Sequence, residues 1–390
     1  MSSARDPERH ARIVDALHVS GLDAFLCALP SQVLLLTGYW PVMATSVAVF
    51  TSAGEVHLIV PEDETELAKQ SSAAERTTYR PASLSAITDA QKAIHGPLIQ
   101  AVKKLGLSAA RVGMELGQFV QASSYAVMNF FGAGLGEILR QNVPGLTMVA
   151  ATDDFERLKA IKTPHELAKI RSASRIAEAA FDCGKHQVRA GRSEPEIASA
   201  FQSAFERTPL AAEVHRSYGF FFCMSGPNSA TAAAAYARTR QRTVNAGDLV
   251  MTHCNSCGDG FWTDITRTYT AGTRDPRQEQ MHGAIMEARQ AALSVITPGI
   301  SARDVDRAAR EVLDRHGYGA QFKHAAGHGV GFAAANHNGI PRIHPQSPDV
   351  LTEGMTFNIE PAIYFEGYGG MRHCDVVAVT TRGVEVLTDF

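Results

Sequence analysis

The sequence predicts an α+β protein of two domains, a smaller α/β unit at residues 1–155 and a larger helix-and-strand unit at residues 156–390. Three observations point there. In the first unit, short apolar or alternating runs that read as strands are interleaved with amphipathic helical stretches. Past residue 152 the composition shifts to the charged, alanine-rich DDFERLKAIKTPHELAKIRSASRIAEAAFDCGKHQV. Beyond that shift the order is helix, helix, hairpin, helix, helix, strands, a rough duplication of the element order without repeated sequence.

Each element has a local reason. Pro7–Val19 reads as a helix with Ile13, Leu17 and the neighbouring Val14 facing the core. Apolar runs at Ala24–Ala28 and Val33–Leu36 follow, separated by Leu29-Pro30-Ser31. SVAVFTSAGEVHLIVP reads as strand–turn–strand, turning at Ser52-Ala53-Gly54. A helix is expected at Glu64–Ser71, mainly helix over 84–106, and a strand at Val112–Glu115. In the second unit Thr163 is placed to cap a helix that starts at Pro164, with Glu166 in its first turn. Ser193 begins another, and Pro276–Val295 and Ser301–His316 read as two more. From about Phe322 onward strands and turns are expected.

Bulk properties narrow the function. In 390 residues, 45% are hydrophobic and 20% charged, the balance of a soluble globular protein. A net charge of -3 argues against a nucleic-acid partner. No apolar run is long enough to cross a membrane. The N-terminal MSSARDPERHARIVDAL is charged and lacks the apolar core of a signal peptide. Six cysteines are too few for a disulfide scaffold, so reduced thiols in the cytoplasm are expected.

Four stretches carry ligand-type side chains. MTHCNSCGDGFWTDITRTY reads as a hairpin around Gly258-Asp259-Gly260, with His253 and Asp264 expected to face each other across the ladder. HAAGHGVGF holds His324 and His328, GMTFNIEPAIY holds Glu360, and GGMRHCDVVAV holds His373, Cys374 and Asp375 on an expected final strand. Singly these are weak, because a lone strand histidine is usually structural and a glutamate before proline usually ends a solvated strand. Cys254 and Cys257 have redox or zinc spacing, but there is no second such pair and no thioredoxin-like βαβ around them.

Together, TDITRTY, GHGVG, NIEPAIY and MRHCD resemble, in order and context, the pita-bread metallopeptidases: methionine aminopeptidase, prolidase, aminopeptidase P and creatinase. The resemblance covers roughly residues 156–390, and LTGYW at Leu36–Trp40 with the strand–turn–strand is similar to the N-terminal domain of the prolidase and creatinase branch. It implies a curved antiparallel sheet backed by two helix pairs. It also implies five metal ligands, of which Asp264, His328 and Glu360 match. The first hairpin aspartate is replaced by His253, and the last glutamate, two residues after an arginine, by Cys374. His373 stands where creatinase-like relatives carry a glutamate. The substrate-side histidine after SGPN is replaced by Ala233 or Tyr236, depending on the gap, and a motif that is usually His-Glu reads His337-Asn338.

These replacements bear on mechanism. Two adjacent dications need carboxylates for charge neutralisation and bridging, and two of four are gone. Histidine and cysteine still ligate softer metals, so a remodelled site is favoured over a disused pocket in which they merely pack. The expectation is a cytoplasmic hydrolase cleaving a C–N bond of a small amide, dipeptide or amidine. A single divalent transition metal, zinc or iron ahead of manganese, would sit on Asp264, His328 and Glu360 with His253 or Cys374 assisting, or no metal at all. Catalytic roles fall to His328, Glu360 and His337, and substrate contacts to His337, Tyr236 and His373. The alternatives are a metal-independent amidinohydrolase or lyase, with a histidine moving the proton, and a non-catalytic binding protein. The resemblance further implies a homodimer.

Overall fold

In a computed structural model of the chain, the described residues are 6–42, 44–81, 89–116, 132–210, 214–235, 239–333 and 339–390. Two compact units divide it, Met1–Lys159 and Ala160–Phe390. Among the described residues no helix is long and apolar enough to cross a membrane.

The first unit runs α1 (Pro7–Ser20), β1 (Ala24–Cys27), α2 (Pro30–Thr37), β2 (Val47–Thr51), β3 (Val56–Pro61), α3 (Thr65–Ala68), β4 (Glu75–Tyr79), α4 (Ala90–Lys104), β5 (Arg111–Met114), α5 (Gly132–Asn142), β6 (Thr147–Ala150) and α6 (Thr152–Ala160). Its six-stranded sheet has the order β4-β3-β2-β1-β5-β6. Pairing of β1 with β2 and of β2 with β3 is antiparallel, and the other pairs are parallel. Strands β1, β2 and β3 are buried at every residue, as strands covered on both faces must be. Leu26, Val49, Ile59, Leu98, Val112 and Leu139 form one core. The helix expected at Glu64–Ser71 is shorter: a 3-10 turn at Glu62–Glu64 leads into α3. The expected helical stretch 84–106 resolves into α4, with residues 82–88 outside the described set.

The second unit begins with α7 (Pro164–Gly184) and α8 (Glu194–Arg207). Both start on reciprocal capping boxes, Thr163 with Glu166 and Ser193 with Glu196, which satisfy otherwise orphaned backbone donors. Then come β7 (Ser217–Ser225), α9 (Ala232–Ala235), β8 (Leu249–Gly258), β9 (Phe261–Trp262) and β10 (Ile265–Thr270). Helices α10 (Pro276–Val295) and α11 (Ala302–Arg315) precede β11 (Thr356–Ile359), β12 (Ala362–Phe365), β13 (Gly369–Arg372), β14 (Asp375–Thr380) and β15 (Gly383–Val386). Three sheets result: β10-β8-β7 with β9 on β8, β11-β14-β15, and β12-β13. Single bridges Thr266↔Cys374 and Gly329↔Phe357 join segments across them. The inner side of α7 and α8 packs Phe181, Phe201 and Phe205 on Phe221. Met281, Ile285, Val305 and Val312 of α10 and α11 share a core with Met251, Phe357 and Ile363. Helix and strand content in these layers is the α+β class the sequence predicts.

Three expectations change. Strand β7 was not anticipated. His253 pairs with Thr266, not Asp264: the ladder breaks at Thr263-Asp264, and continuing its register sets Asp264 opposite Asn255, a diagonal step from His253. His373 and Cys374 sit in the gap between β13 and β14, and the last strand is β15. The segment around His328 is likewise held by bridges from Gly327 and Gly329 rather than by a regular strand.

Candidate active site

The hairpin, the His328 segment, the end of β11 and the β13–β14 gap bring Asp264, His328, Glu360, Cys374 and His253 into one buried cluster. Asp264 is at its centre. Its Oδ2 lies 3.6 Å from His328 Nε2, and its Oδ1 lies 3.8 Å from His253 Nδ1 and 3.7 Å from Cys374 Sγ. Burial, with Glu360 adding to it, raises the Asp264 pKa against the opposing pull of His328 and Arg372.

Hydrogen bonding fixes each neighbour. His328 donates its backbone N–H to Asn358 Oδ1 at 2.7 Å, which orients that amide. Its Nδ1 faces the carbonyl of Gly329 at 3.2 Å, an acceptor only, so Nδ1 carries the proton. Nε2 is then the acceptor, and the Asn358 amide donates to it at 3.2 Å. Cys374 donates its thiol to the Asp264 carbonyl at 3.2 Å and receives the Asn358 amide at 3.5 Å. Burial pushes that thiol well up, and the Asp264 and Glu360 carboxylates push it further.

Arg372 is the residue that motif reading missed, although it lies in the MRHCD stretch. It is 5% exposed. Its Nε donates to Thr266 Oγ1 at 3.1 Å, its Nη2 meets His253 Nδ1 at 3.2 Å, and its Nη1 lies 3.6 Å from Glu360 Oε2. A guanidinium only donates. His253 Nδ1 is therefore an acceptor, and its proton sits on Nε2, 3.1 Å from Asn255 Oδ1. Burial first and the Arg372 charge second push the His253 pKa down to about 3, so the ring is neutral. With one nitrogen protonated and the other turned to Arg372, His253 offers no donor pair to an ion.

The five side chains do not fit a metal as a common set. His328 approaches one oxygen of Asp264, His253 and Cys374 approach the other, and Glu360 faces Arg372. Among the described residues no group of three or more His, Cys, Asp or Glu side chains converges on a point that could hold an ion.

The substrate-side expectations divide. His373 turns from the cluster, its Nε2 3.1 Å from Asp375 Oδ2, where Arg267 and Arg289 also bind that carboxylate at 2.7 and 2.5 Å. Asp375 thus holds the ring of His373, an expected substrate contact. His337 and Tyr236 lie outside the described residues. His324 pairs with the buried Tyr364 hydroxyl at 3.0 Å, beside the cluster rather than in it.

Comparison with known proteins agrees with this architecture. Residues 168–381 match metallopeptidase family M24, and residues 9–161 match the creatinase/prolidase N-terminal domain. An Xaa-Pro dipeptidase of Lactobacillus helveticus is 33% identical over 253 residues, covering 65% of this chain and 66% of the relative, just under two thirds of its length. An Xaa-Pro dipeptidase of Pyrococcus furiosus is 27% identical over 391 residues, covering 98% of this chain and 97% of the relative. Among solved structures, the prolidase from Pyrococcus horikoshii OT3 superposes with a TM-score of 0.78 at 25% identity, covering 98% of both chains. With the M24 match running through every residue of the cluster, the chain belongs to metallopeptidase family M24, a pita-bread domain preceded by the creatinase/prolidase N-terminal domain.

Proposed function

We propose that the protein is a cytoplasmic hydrolase that cleaves a C–N bond of a small substrate, a dipeptide of the Xaa-Pro kind ahead of an amide or amidine, in the Asp264–His328–Glu360 cluster. Family membership and relatives named Xaa-Pro dipeptidase support the peptidase class. The observation that carries the site is the buried Asp264 carboxylate 3.6 Å from the lone-pair nitrogen of His328. Such a pair can take a proton from water and return it to a leaving amine. Glu360 and Arg372 supply fixed charge beside it, and His337 and Tyr236 are the proposed substrate contacts.

M24 membership implies a divalent metal, and the charge of the cluster favours one ion over two. Asp264 and Glu360 ionised, with Arg372 cationic and His253 neutral, sum to minus one (−1 −1 +1 + 0). One dication would leave the cluster at about plus one and two at about plus three, with only Asp264 and Glu360 to neutralise and bridge them. In the single-ion reading Asp264, His328 and Glu360 would hold it, zinc or iron ahead of manganese because the adjacent Cys374 sulfur is soft. The metal-independent reading has the stronger support, because Arg372 locks His253 and the donors face different oxygens of Asp264. A homodimer belongs to the same proposal, and light scattering at twice the monomer mass would support it.

The test is an Xaa-Pro dipeptide and amidine panel run on wild type, Asp264→Asn and His328→Gln. Both variants should lose about 10²- to 10⁴-fold in kcat while melting as the wild type does. Absence of C–N cleavage across the panel, or a fully active His328→Gln enzyme, would sink the proposal.

A further inference from the structure

Strand β7 contains Tyr218-Gly219-Phe220-Phe221-Phe222, and its period of two sends Tyr218, Phe220 and Phe222 to one face. That face carries the candidate site. In the β7–β8 register Phe222 is opposite His253 and Phe220 opposite Asn255, and residues paired in this way project to the same side. Phe221 projects to the other side, against the helices. Trp262 joins the row by its pairing with Cys257, which is itself opposite Tyr218.

The rings are continuous. Centroids are 6.2 Å apart for Tyr218–Phe220, 5.3 Å for Phe220–Phe222, 6.0 Å for Tyr218–Trp262 and 6.3 Å for Phe220–Trp262. Phe222 then stacks on His253 at 6.4 Å with planes 20° apart. Tyr218 is 50% exposed, and Phe220, Phe222 and Trp262 are half-buried. A wall of aromatic faces thus runs from solvent to the imidazole that abuts Asp264.

We propose that this wall is a specificity subsite that seats an aromatic side chain of the substrate beside the scissile bond, a statement that rests on the hydrolase reading above. The wall is one strand and one hairpin residue wide, and its inner end, Phe222 with Phe220, lies beside the buried His253–Asp264 pair, where a substrate side chain would reach it. Its rings already adopt the tilted and edge-on arrangements that a further phenyl group extends. A glycine side chain gains nothing there, and a lysine side chain brings a charge whose hydration the rings only partly replace.

The sequence provides its own reporter. Trp40 and Trp262 are the two tryptophans, so Trp40→Phe leaves emission from the wall alone. The full chain carrying Trp40→Phe and His328→Gln, which retains the wall but not the proton acceptor, is titrated with Phe-Pro, Gly-Pro and Lys-Pro. Phe-Pro should shift Trp262 emission saturably with a Kd about tenfold or more below those of the other two, and Phe222→Ala or Phe220→Ala should bring the three within about threefold. In the His328-intact enzyme the same preference should appear in KM. Equal affinities, a preference that survives both wall variants, no emission change with any dipeptide, or a change of assembly mass in Tyr218→Ala (a second copy covering the wall) would overturn the subsite. Binding of Phe-Pro with this preference but no cleavage by wild type would instead sink the hydrolase reading and leave the wall standing. Cleavage of all three with equal kcat/KM would do the reverse.

Discussion

The 3.2 Å contact from Arg372 to His253 fixes a proton, and that proton decides which side chains can take part in chemistry. His253 is held as a neutral ring that accepts from Arg372 on one nitrogen and donates to Asn255 on the other. His328 carries its proton on Nδ1 instead and accepts the Asn358 amide on Nε2, the nitrogen nearest Asp264. Both were legible as polar residues in strand-like motifs, but their tautomers were not, because these depend on which groups the fold turns toward each ring, Arg372 for His253 and the Gly329 carbonyl for His328. Arg372 also supplies the buried cation nearest Glu360. Arg372→Met should therefore destabilise the protein by about 3–5 kcal/mol, the cost of leaving buried carboxylates without a partner. Arg372→Lys should recover only part of that loss, since an ammonium cannot reach three separated groups as a planar fork does. Urea denaturation of the two variants checks both, and a Met variant as stable as wild type would contradict the role given to the guanidinium.

Helix starts were the most readable elements, because capping is written in adjacent residues: Thr163 with Glu166 and Ser193 with Glu196 are local pairs that the fold reproduces. The hairpin was readable as a hairpin but not in register, because its turn is centred between Asp259 and Gly260: Gly258 pairs with Phe261 and, in the same register, His253 with Thr266 rather than Asp264. The buried Glu194 accepts the Ser225 amide and hydroxyl at 2.6 and 2.8 Å, the Asn228 amide at 2.8 Å and the Arg240 backbone N–H at 2.8 Å, which organises the strand end and the SGPN turn. Glu194→Ala should cost about 3 kcal/mol or more, and Glu194→Gln less, as read by thermal melts.

In the N-terminal unit Glu115 accepts the Leu29 and Ala28 amides at 2.8 and 3.1 Å, just before α2. Burial raises its pKa to about 7, although those amides lower it. A carboxyl that binds its proton more tightly when folded stabilises the fold most below its unfolded pKa. It costs stability as pH rises from about 4.5 to 7, on the order of 3 kcal/mol by pH 8. Melting of this unit should therefore fall across that window, and Glu115→Gln should flatten the slope.

At the scale of the whole molecule, the order of helical and strand-like stretches pointed to the fold class early, and four short motifs were enough to suggest the family that residues 168–381 match. The pita-bread fold was expected from those motifs, and the two compact units, Met1–Lys159 and Ala160–Phe390, are the frame in which it is found. What the motifs could not supply is the electrostatic state of the cluster, which follows from Arg372, Asn358 and Asn255 converging from three segments on residues already singled out. On that state, two carboxylates and one resident cation, rests the proposal that the cluster takes at most one dication. The direct measurement is metal content by mass spectrometry of the full chain purified without added metal or chelator, with C–N cleavage assayed on the same sample before and after chelation. The account predicts no more than about one ion per chain, with loss of cleavage in His328→Gln whatever the metal content. A content close to two ions per chain, with cleavage abolished by chelation and restored by manganese alone, would contradict it.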